Sequence, residues 1–242
     1  MKILAIDSSG QVAGVALIED QECIAEYTVN YKKTHSQTLL PMLEEIRKMT
    51  ELDLSTIDGI AVAAGPGSFT GLRIASATAK GLGQALNKPL IGVPTVDGLA
   101  YNLYGTDKLI CPLMDARRNQ TYTGLYEFRK KEETMELVVL EPQCAVALDE
   151  IIDKINKRNR EVIFLGDGVS VFSQQLREKV KVPFTFAPAC CNRQRAAAVG
   201  VLGMEYMKLK RVQEAAEHRP EYLRLSQAER ERKEELKRGN HN

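Results

Sequence analysis

Three acidic turns follow apolar runs at points where β-strands are predicted to end. Their residues are Asp7, Ser8 and Ser9 in the first turn, Asp115 in the second, and Gly166, Asp167 and Gly168 in the third. A carboxylate with neighbouring hydroxyls could hold the magnesium ion and phosphates of a nucleotide. Short acidic turns also end strands without any ligand. The sequence therefore predicts at most a degenerate nucleotide site, with weak binding of Mg-ATP or Mg-ADP and no required cofactor.

A glycine-rich turn stands directly before a predicted helix, an arrangement that binds phosphate in some proteins. Pro66 followed by Gly67 favours a type II turn, because the second central residue of that turn needs a positive φ. Ser68 then stands at the expected helix N-cap. A phosphate loop would need Gly-Lys-Ser or Gly-Lys-Thr after these residues, and a dinucleotide fingerprint would need G-x-G-x-x-G. Neither motif is present, so we predict a structural turn.

Histidine and cysteine give little support for catalysis or for metal binding. The three histidines include no pair at i, i+4 spacing, and no G-x-S-x-G nucleophile motif occurs. His35 could act as a base, although a histidine at a helix start is usually structural. The five cysteines include no C-x-x-C, which argues against a zinc site and a disulfide framework. The adjacent Cys190 and Cys191 could be redox-active, and burial as small apolar residues is the favoured interpretation.

The overall composition excludes several functional classes. The 242 residues include 33 basic and 32 acidic ones, so no net field attracts nucleic acid or an anionic membrane. Any role with nucleic acid must be local or shared with a partner. No apolar run has the length of a signal peptide or of a membrane helix. We expect a cytoplasmic protein without membrane contact.

The apolar periodicity predicts the same order of elements twice. The first set has strands at 2–7, 12–18 and 23–31, a helix from His35, a strand at 59–64, a helix at 68–86, a strand at 90–93 and a helix at 95–103. The second set has strands at 109–116, 119–128 and 135–140, a helix at 148–157, a strand at 161–165, a helix at 169–179, a strand at 184–186 and a helix at 193–210. Pro41 predicts a kink in the first helix, or a helix start close to it.

This repeated βββαβαβα order predicts an α/β protein with two lobes. We assign residues 1–104 to an N-terminal lobe, 105–225 to a C-terminal lobe and 226–242 to a charged tail. Within the tail, i, i+4 pairs of opposite charge favour a solvated helix over a binding segment.

The helix predicted at 68–86 carries small residues on two neighbouring stripes. The first stripe is Gly71, Ala75, Ala79 and Gly83, and the second is Ala77, Gly81 and Ala85. An interior glycine costs a helix about 1 kcal/mol relative to alanine, so these glycines indicate close neighbours. One stripe is expected to pack on the sheet of its own lobe. The other needs the preceding helix or a second subunit.

Several motifs together resemble the bacterial TsaB (YeaZ) family. They are ILAIDSS, THSQTLLPML, AAGPGSFTGLRIASATAKGLG, DARRNQTY, FLGDG and PEYLR. The resemblance implies the actin-like ATPase (ASKHA) fold, with two ribonuclease-H-like lobes built on mixed βββαβαβα sheets. It also implies a non-catalytic paralogue of TsaD, which transfers threonylcarbamoyl to N6 of an adenosine beside the anticodon of tRNAs that read ANN codons.

The same resemblance implies partners and a surface for them. TsaD is the expected heterodimer partner, TsaE joins the assembled pair, a homodimer forms when TsaD is absent, and tRNA is reached through the complex. The expected interface residues are His35, Leu39, Leu40, Leu43, Leu72, Ala75, Ser76, Ala79 and Gly83. Thr95 and Leu99 stand where TsaD has two metal-binding histidines, which implies that this chain is not the enzyme.

The alternative function is that of a small actin-like kinase or ATPase. It would use Asp7 and Asp115 with Mg-ATP, because both aspartates follow the first strand of their half. The chain also departs from the commoner family pattern at Ser8, where threonine is usual, and in its charged tail.

Overall fold

The computed structural model describes residues 1–31 and 34–224 and contains two five-stranded sheets. The first half consists of β1 (Lys2–Asp7), β2 (Ala13–Glu19), β3 (Glu22–Val29), α1 (His35–Met49), β4 (Gly59–Gly65), α2 (Phe69–Leu86), β5 (Leu90–Pro94) and α3 (Thr95–Tyr101). The second half consists of β6 (Leu109–Asp115), β7 (Gln120–Lys131), β8 (Thr134–Ala147), α4 (Leu148–Arg158), β9 (Val162–Leu165), α5 (Gly168–Lys179), β10 (Phe184–Phe186) and α6 (Ala196–Lys208). The predicted βββαβαβα order is confirmed in both halves, and the predicted tail lies outside the described residues.

Both sheets have the same topology. Their strand orders are β3-β2-β1-β4-β5 and β8-β7-β6-β9-β10. In each sheet the first three strands are antiparallel neighbours, and the last two run parallel to the first. The carboxyl ends of β1 and β6 therefore occupy equivalent positions in the two halves.

The central strand β1 is covered by helices on both faces, because successive side chains of a strand point in opposite directions. Leu4 and Ile6 lie in one core with the buried residues of α1 and α2. Ile3 and Ala5 lie in a second core with the buried residues of α6. This double coverage explains why β4, the parallel neighbour of β1, is a continuous apolar run.

The third helix of each half packs on the sheet of the other half. Val96 and Leu99 of α3 share a core with Ile110 and Tyr126 of the second sheet. Val199 of α6 shares a core with the first sheet. The predicted limits of 1–104 and 105–225 therefore separate the two sheets but not the two cores, and the assignment of α6 to the C-terminal lobe is wrong.

The structure bears on two local predictions for the first lobe. The helix α1 begins at His35 and continues through Pro41, which faces solvent, so Pro41 is not the helix start and a kink there stays a prediction. The predicted type II turn is wrong, because Gly65, before a cis peptide bond to Pro66, has the positive φ of 117° and Gly67 does not. The Glu221 backbone N–H donates to the Ala64 carbonyl oxygen over 2.6 Å, so a distant segment packs against this turn.

The N-cap prediction is confirmed, since the Ser68 hydroxyl accepts a hydrogen bond from the Gly71 N–H over 3.3 Å. Within the described ranges, no helix has the length and apolar character needed to cross a membrane.

Candidate functional site

A cleft of about 360 Å³ opens between the two sheets at the carboxyl ends of β1 and β6. Its lining includes Ser9, Gly10, Pro66, Gly67, Ser68 and Phe69 on one side, Asp115, Arg117, Tyr122 and Asp167 on the other, and Glu221, Tyr222, Leu223 and Arg224 across it. Three of the predicted nucleotide-site residues, Ser9, Asp115 and Asp167, therefore meet at one cavity. The other four, Asp7, Ser8, Gly166 and Gly168, do not line it.

Asp7 and Ser8 hold the first acidic turn together. The Asp7 carboxylate accepts a hydrogen bond from the Ser9 N–H over 2.8 Å and is only 3% exposed. Burial raises the pKa of the Asp7 carboxyl, and the hydrogen bond from the Ser9 N–H opposes that rise. The Ser8 hydroxyl donates to the Gly71 carbonyl oxygen over 2.8 Å. Both side chains are thus committed to contacts inside the first lobe.

Two glycines allow the start of α2 to pack against this acidic turn. A Cβ atom at Gly71 would overlap the carbonyl oxygen of Ser8, and one at Gly67 would overlap that of Ser9. The Ser68 N–H donates to the Ser9 carbonyl oxygen over 2.6 Å. The N–H groups of Ser68 and Gly71 at this helix start therefore already have partners in the chain, which supports the interpretation of the glycine motif as structural.

The acidic residues of the second lobe are also engaged. The Asp115 carboxylate accepts from the Arg117 N–H over 2.7 Å and forms a 3.1 Å ion pair with the Arg117 guanidinium. The Asp167 carboxylate accepts from the Asp115 N–H over 3.3 Å. Burial raises the pKa of Asp167, and that hydrogen bond and the charge of Arg193 oppose the rise. The Gly166 N–H donates to the Asn192 side-chain oxygen over 2.7 Å.

Residues 219–224, which we call the C-terminal strap, cross the cleft from the first lobe to the second. The Glu221 carboxylate accepts from the Gln143 amide over 3.0 Å. The Tyr222 ring stacks on Phe69 with 4.7 Å between centroids. Arg224 donates to the carbonyl oxygens of Ala116 and Arg117. Periodicity did not indicate this role, and only the PEYLR motif marked the segment.

Two buried polar atoms near the first acidic turn have no hydrogen-bond partner within the described part of the chain. They are the Ser9 hydroxyl and the Gln194 side-chain nitrogen. The Gln194 amide lies against Gly10, where an added Cβ atom would be 2.8 Å from its nitrogen. Ser9 also lines the cleft, although its side chain is buried.

The predicted interface residues are mostly unavailable to a partner. Seven of them are buried inside the first lobe: Leu39, Leu43, Leu72, Ala75, Ser76, Ala79 and Gly83. Leu40 is 55% exposed, and His35 is half-buried with its Nε2 2.9 Å from the Gly10 carbonyl oxygen. These seven side chains face the interior of their own lobe, so only Leu40 and His35 of the predicted set offer accessible surface, and the interface itself stays a prediction.

The second stripe of small residues on α2 is exposed. Together with the neighbouring residues of α1 it forms what we call the α1/α2 outer face, which consists of Leu40, Pro41, Arg73, Ala77, Gly81 and Ala85. A Cβ atom at Gly81 would have no atom of the described residues within 4 Å. A Cβ atom at Gly83 would lie 2.9 Å from the Cβ of Ala215. Packing inside the chain therefore explains Gly83 and not Gly81.

The two βββαβαβα halves, joined around a cleft at the carboxyl ends of β1 and β6, define an actin-like ATPase (ASKHA) fold. The family model described as TsaD: tRNA N6-adenosine threonylcarbamoyltransferase matches residues 22–232. The tRNA threonylcarbamoyladenosine biosynthesis protein TsaB of Bacillus subtilis is 35% identical over 232 residues, which cover 95% of this chain and 96% of that protein. TsaB of Escherichia coli is 34% identical over 130 residues, 52% of this chain and 55% of that protein.

A solved structure has the same fold. YeaZ from Pseudomonas aeruginosa is 24% identical, with a TM-score of 0.73 over 92% of this chain and 99% of that one. From the relatives and the family model, the chain belongs to the TsaB (YeaZ) family of tRNA threonylcarbamoyladenosine biosynthesis proteins, within the broader family of TsaD.

Proposed function

We propose that this chain is a non-catalytic subunit that binds and supports TsaD in the transfer of threonylcarbamoyl to N6 of adenosine in tRNA. The names of its relatives and of its family model supply the pathway. The observation that carries the proposed role is the exposed second stripe of α2. Its residues Ala77, Gly81 and Ala85 form the centre of the α1/α2 outer face.

Gly81 is the strongest single argument for a partner. Glycine in a helix interior costs about 1 kcal/mol relative to alanine. Within the described part of the chain, no atom lies within 4 Å of its missing Cβ atom to explain that cost. A helix from another subunit could approach the backbone closely at Gly81, because no side chain stands in the way.

The α1 side of the outer face adds apolar area. Leu40 is 55% exposed, and Pro41 beside it is also exposed. Burial of apolar surface stabilises an interface by roughly 25 cal/mol per Å². The outer face therefore combines close approach on α2 with apolar contact on α1. A second copy of this chain would use the same face when TsaD is absent.

The placement of the acidic residues supports catalysis by TsaD rather than by this chain. The buried Asp7 carboxylate does not line the cleft, and Asp115 is paired with Arg117. Thr95 is buried and its hydroxyl accepts from the Gly65 N–H over 3.2 Å. Among the described side chains, no group of three or more histidine, cysteine, aspartate or glutamate residues is arranged to hold a metal ion.

In this proposal TsaE and tRNA join the assembled pair in the cytoplasm.

Co-purification with TsaD tests the proposed face. Ala77→Arg places a long charged side chain on the outer face, and it is expected to abolish the complex while leaving the fold intact. Val171→Arg is the matched control, because Val171 is an exposed apolar residue on α5, on the other lobe. The proposal is wrong if Ala77→Arg retains TsaD as well as Val171→Arg does, or if the modified nucleoside forms equally well without this chain.

A second candidate function is weak binding of Mg-ATP or Mg-ADP in the cleft. The chain would be a small ATPase or kinase if it also turned over the bound nucleotide. The Ser9 hydroxyl, which has no partner among the described residues, favours it, because Ser9 lines the same cleft as Asp115 and Asp167. Calorimetric titration of the isolated chain with Mg-ATP is the test. Tight binding that is lost in Asp115→Ala, a change at a residue that lines the cleft, together with turnover by the isolated chain, would establish this function instead.

A further inference from the structure

Two adjacent cysteines occupy the loop between β10 and α6. The sulfur atoms of Cys190 and Cys191 are 3.7 Å apart. Cys190 is exposed and Cys191 is half-buried. The interpretation as buried apolar residues is therefore wrong for Cys190, which a small molecule in solvent can reach, whereas Cys191 is half-buried against the core that α3 shares with the second sheet.

The loop that carries the pair is held by side chains from both halves. The Cys191 N–H donates to the Pro188 carbonyl oxygen over 2.9 Å. The Asn102 amide donates to the Cys191 carbonyl oxygen over 3.1 Å. The next residue, Asn192, accepts the Gly166 N–H. A change in the backbone at the cysteine pair would therefore be transmitted to the third acidic turn, whose Asp167 lines the cleft.

The two thiols differ in their surroundings. Burial raises the pKa of the Cys191 thiol, the neighbouring Cys190 raises it further, and the charge of Arg195 opposes both effects. The exposed Cys190 thiol is the one that a solute reaches first. Because of this difference, we assign Cys190 as the cysteine that attacks the reagent and Cys191 as the resolving cysteine, which attacks the resulting mixed disulfide.

We propose that Cys190 and Cys191 form a redox modification site, at which a small-molecule disulfide such as oxidised glutathione converts the two thiols into a disulfide between adjacent residues. The Cys190 thiolate attacks the small disulfide, which forms a mixed disulfide and releases one thiolate of the reagent. The Cys191 thiolate then attacks the Cys190 sulfur and releases the second. Two protein thiols are oxidised by two electrons, their two protons leave, and one small disulfide is reduced to two thiols.

The geometry makes this disulfide easy to reverse. Adjacent Cα atoms are about 3.8 Å apart across a trans peptide bond, whereas the Cα atoms of ordinary disulfides are about 4.4–6.8 Å apart. The peptide between the cysteines must rearrange before the ring closes, and the Cys191 N–H then loses its contact with Pro188. Strained disulfides are reduced more readily than structural ones. Oxidation therefore loosens the loop and its contact with Gly166.

Mass spectrometry of the full chain after treatment with oxidised glutathione tests the site. Trypsin cleavage at Lys181 and Arg193 yields one peptide that contains both cysteines and no other. We expect the mass of this peptide to fall by two hydrogen atoms and its cysteines to resist alkylation. Reduction with dithiothreitol should restore the original mass and make both cysteines alkylatable again. Cys191→Ser should stop at a mixed disulfide on Cys190, and Cys190→Ser should lose most of the modification. The exposed Cys23, which has no adjacent cysteine, is the internal control for a mixed disulfide alone.

The proposal is overturned if the peptide keeps two free thiols, or carries only a mixed disulfide, under conditions that modify Cys23 completely. Hydrogen exchange at the Gly166 amide provides a second readout. It should become faster in the oxidised protein and return to its original rate after reduction. Unchanged exchange in the oxidised form would overturn the connection between the cysteine pair and the cleft.

Discussion

Two glycines of the same helix, ten residues apart, serve different purposes. Gly71 lies against the carbonyl oxygen of Ser8, where any Cβ atom would overlap it. Gly81 lies on the outer face of α2, and none of residues 1–31 and 34–224 fills the space beside it. The glycine-rich sequence alone does not distinguish a glycine needed by the fold from one that the fold leaves unexplained.

The two alanine substitutions should therefore have opposite effects on stability. Gly81→Ala is expected to raise the free energy of unfolding by about 1 kcal/mol, the helix propensity difference. Gly71→Ala is expected to lower it by about 1–3 kcal/mol, because the acidic turn must move to make room. Urea denaturation of the two variants and the parent chain measures both. Equal shifts of the same sign would contradict the packing of α2 described above.

At the scale of elements, α6 completes the first lobe although it lies at the far end of the chain. It covers the face of the first sheet that carries Ile3, Ala5 and Ala61. A Cβ atom at Gly203 would lie only 2.5 Å from the Cβ of Ala61, so the helix and sheet are in close contact. The three-dimensional lobe is therefore discontinuous in sequence.

This arrangement predicts that residues 1–104 do not fold alone. Without α6 the apolar face of the first sheet would be open to water, which removes much of the free energy that stabilises the lobe. Circular dichroism during urea titration should show no cooperative unfolding for that fragment. A single chain that links residues 1–104 to residues 187–224 is the control and should recover a cooperative transition. A fully cooperative 1–104 fragment would refute the role of α6.

At the scale of the whole molecule, the C-terminal strap connects the two lobes across the cleft. Its Tyr222 stacks on Phe69, and the Arg73 guanidinium lies 3.9 Å from the Phe69 ring centroid. Arg224 then reaches the loop after β6. Four residues of the strap, Glu221–Arg224, line the same cleft as Ser9 and Asp115.

A double-mutant cycle measures how strongly the strap is held. Phe69→Leu combined with Tyr222→Leu should show a coupling free energy of about 0.5–1.5 kcal/mol, the range for aromatic pairs. Phe69→Leu combined with Tyr104→Leu is the control, because Tyr104 packs on Tyr101 and Phe128 instead. That pair should be additive within about 0.5 kcal/mol. A coupling near zero for Tyr222 would show that the strap does not bind the first lobe through this stack.

The sequence by itself determined the order of elements, the N-cap at Ser68 and the membership of the family. These features follow from information that is local in the chain: apolar periodicity, capping chemistry and short motifs. Strand ends were less predictable. The strand β8 continues from the predicted end at Leu140 to Ala147, because its pairing with β7 continues that far.

Only the tertiary structure decided which stripe of α2 is buried, where α6 packs and how the C-terminal strap crosses the cleft. Ala77 and Ala79 are both small and two residues apart, so nothing local tells which one faces the sheet. Burial depends on contacts between segments that are distant in sequence, such as α2 with the first sheet and Glu221 with Ala64. The same holds for the cysteine pair, which the sequence presents as two small apolar residues and the fold places at the surface.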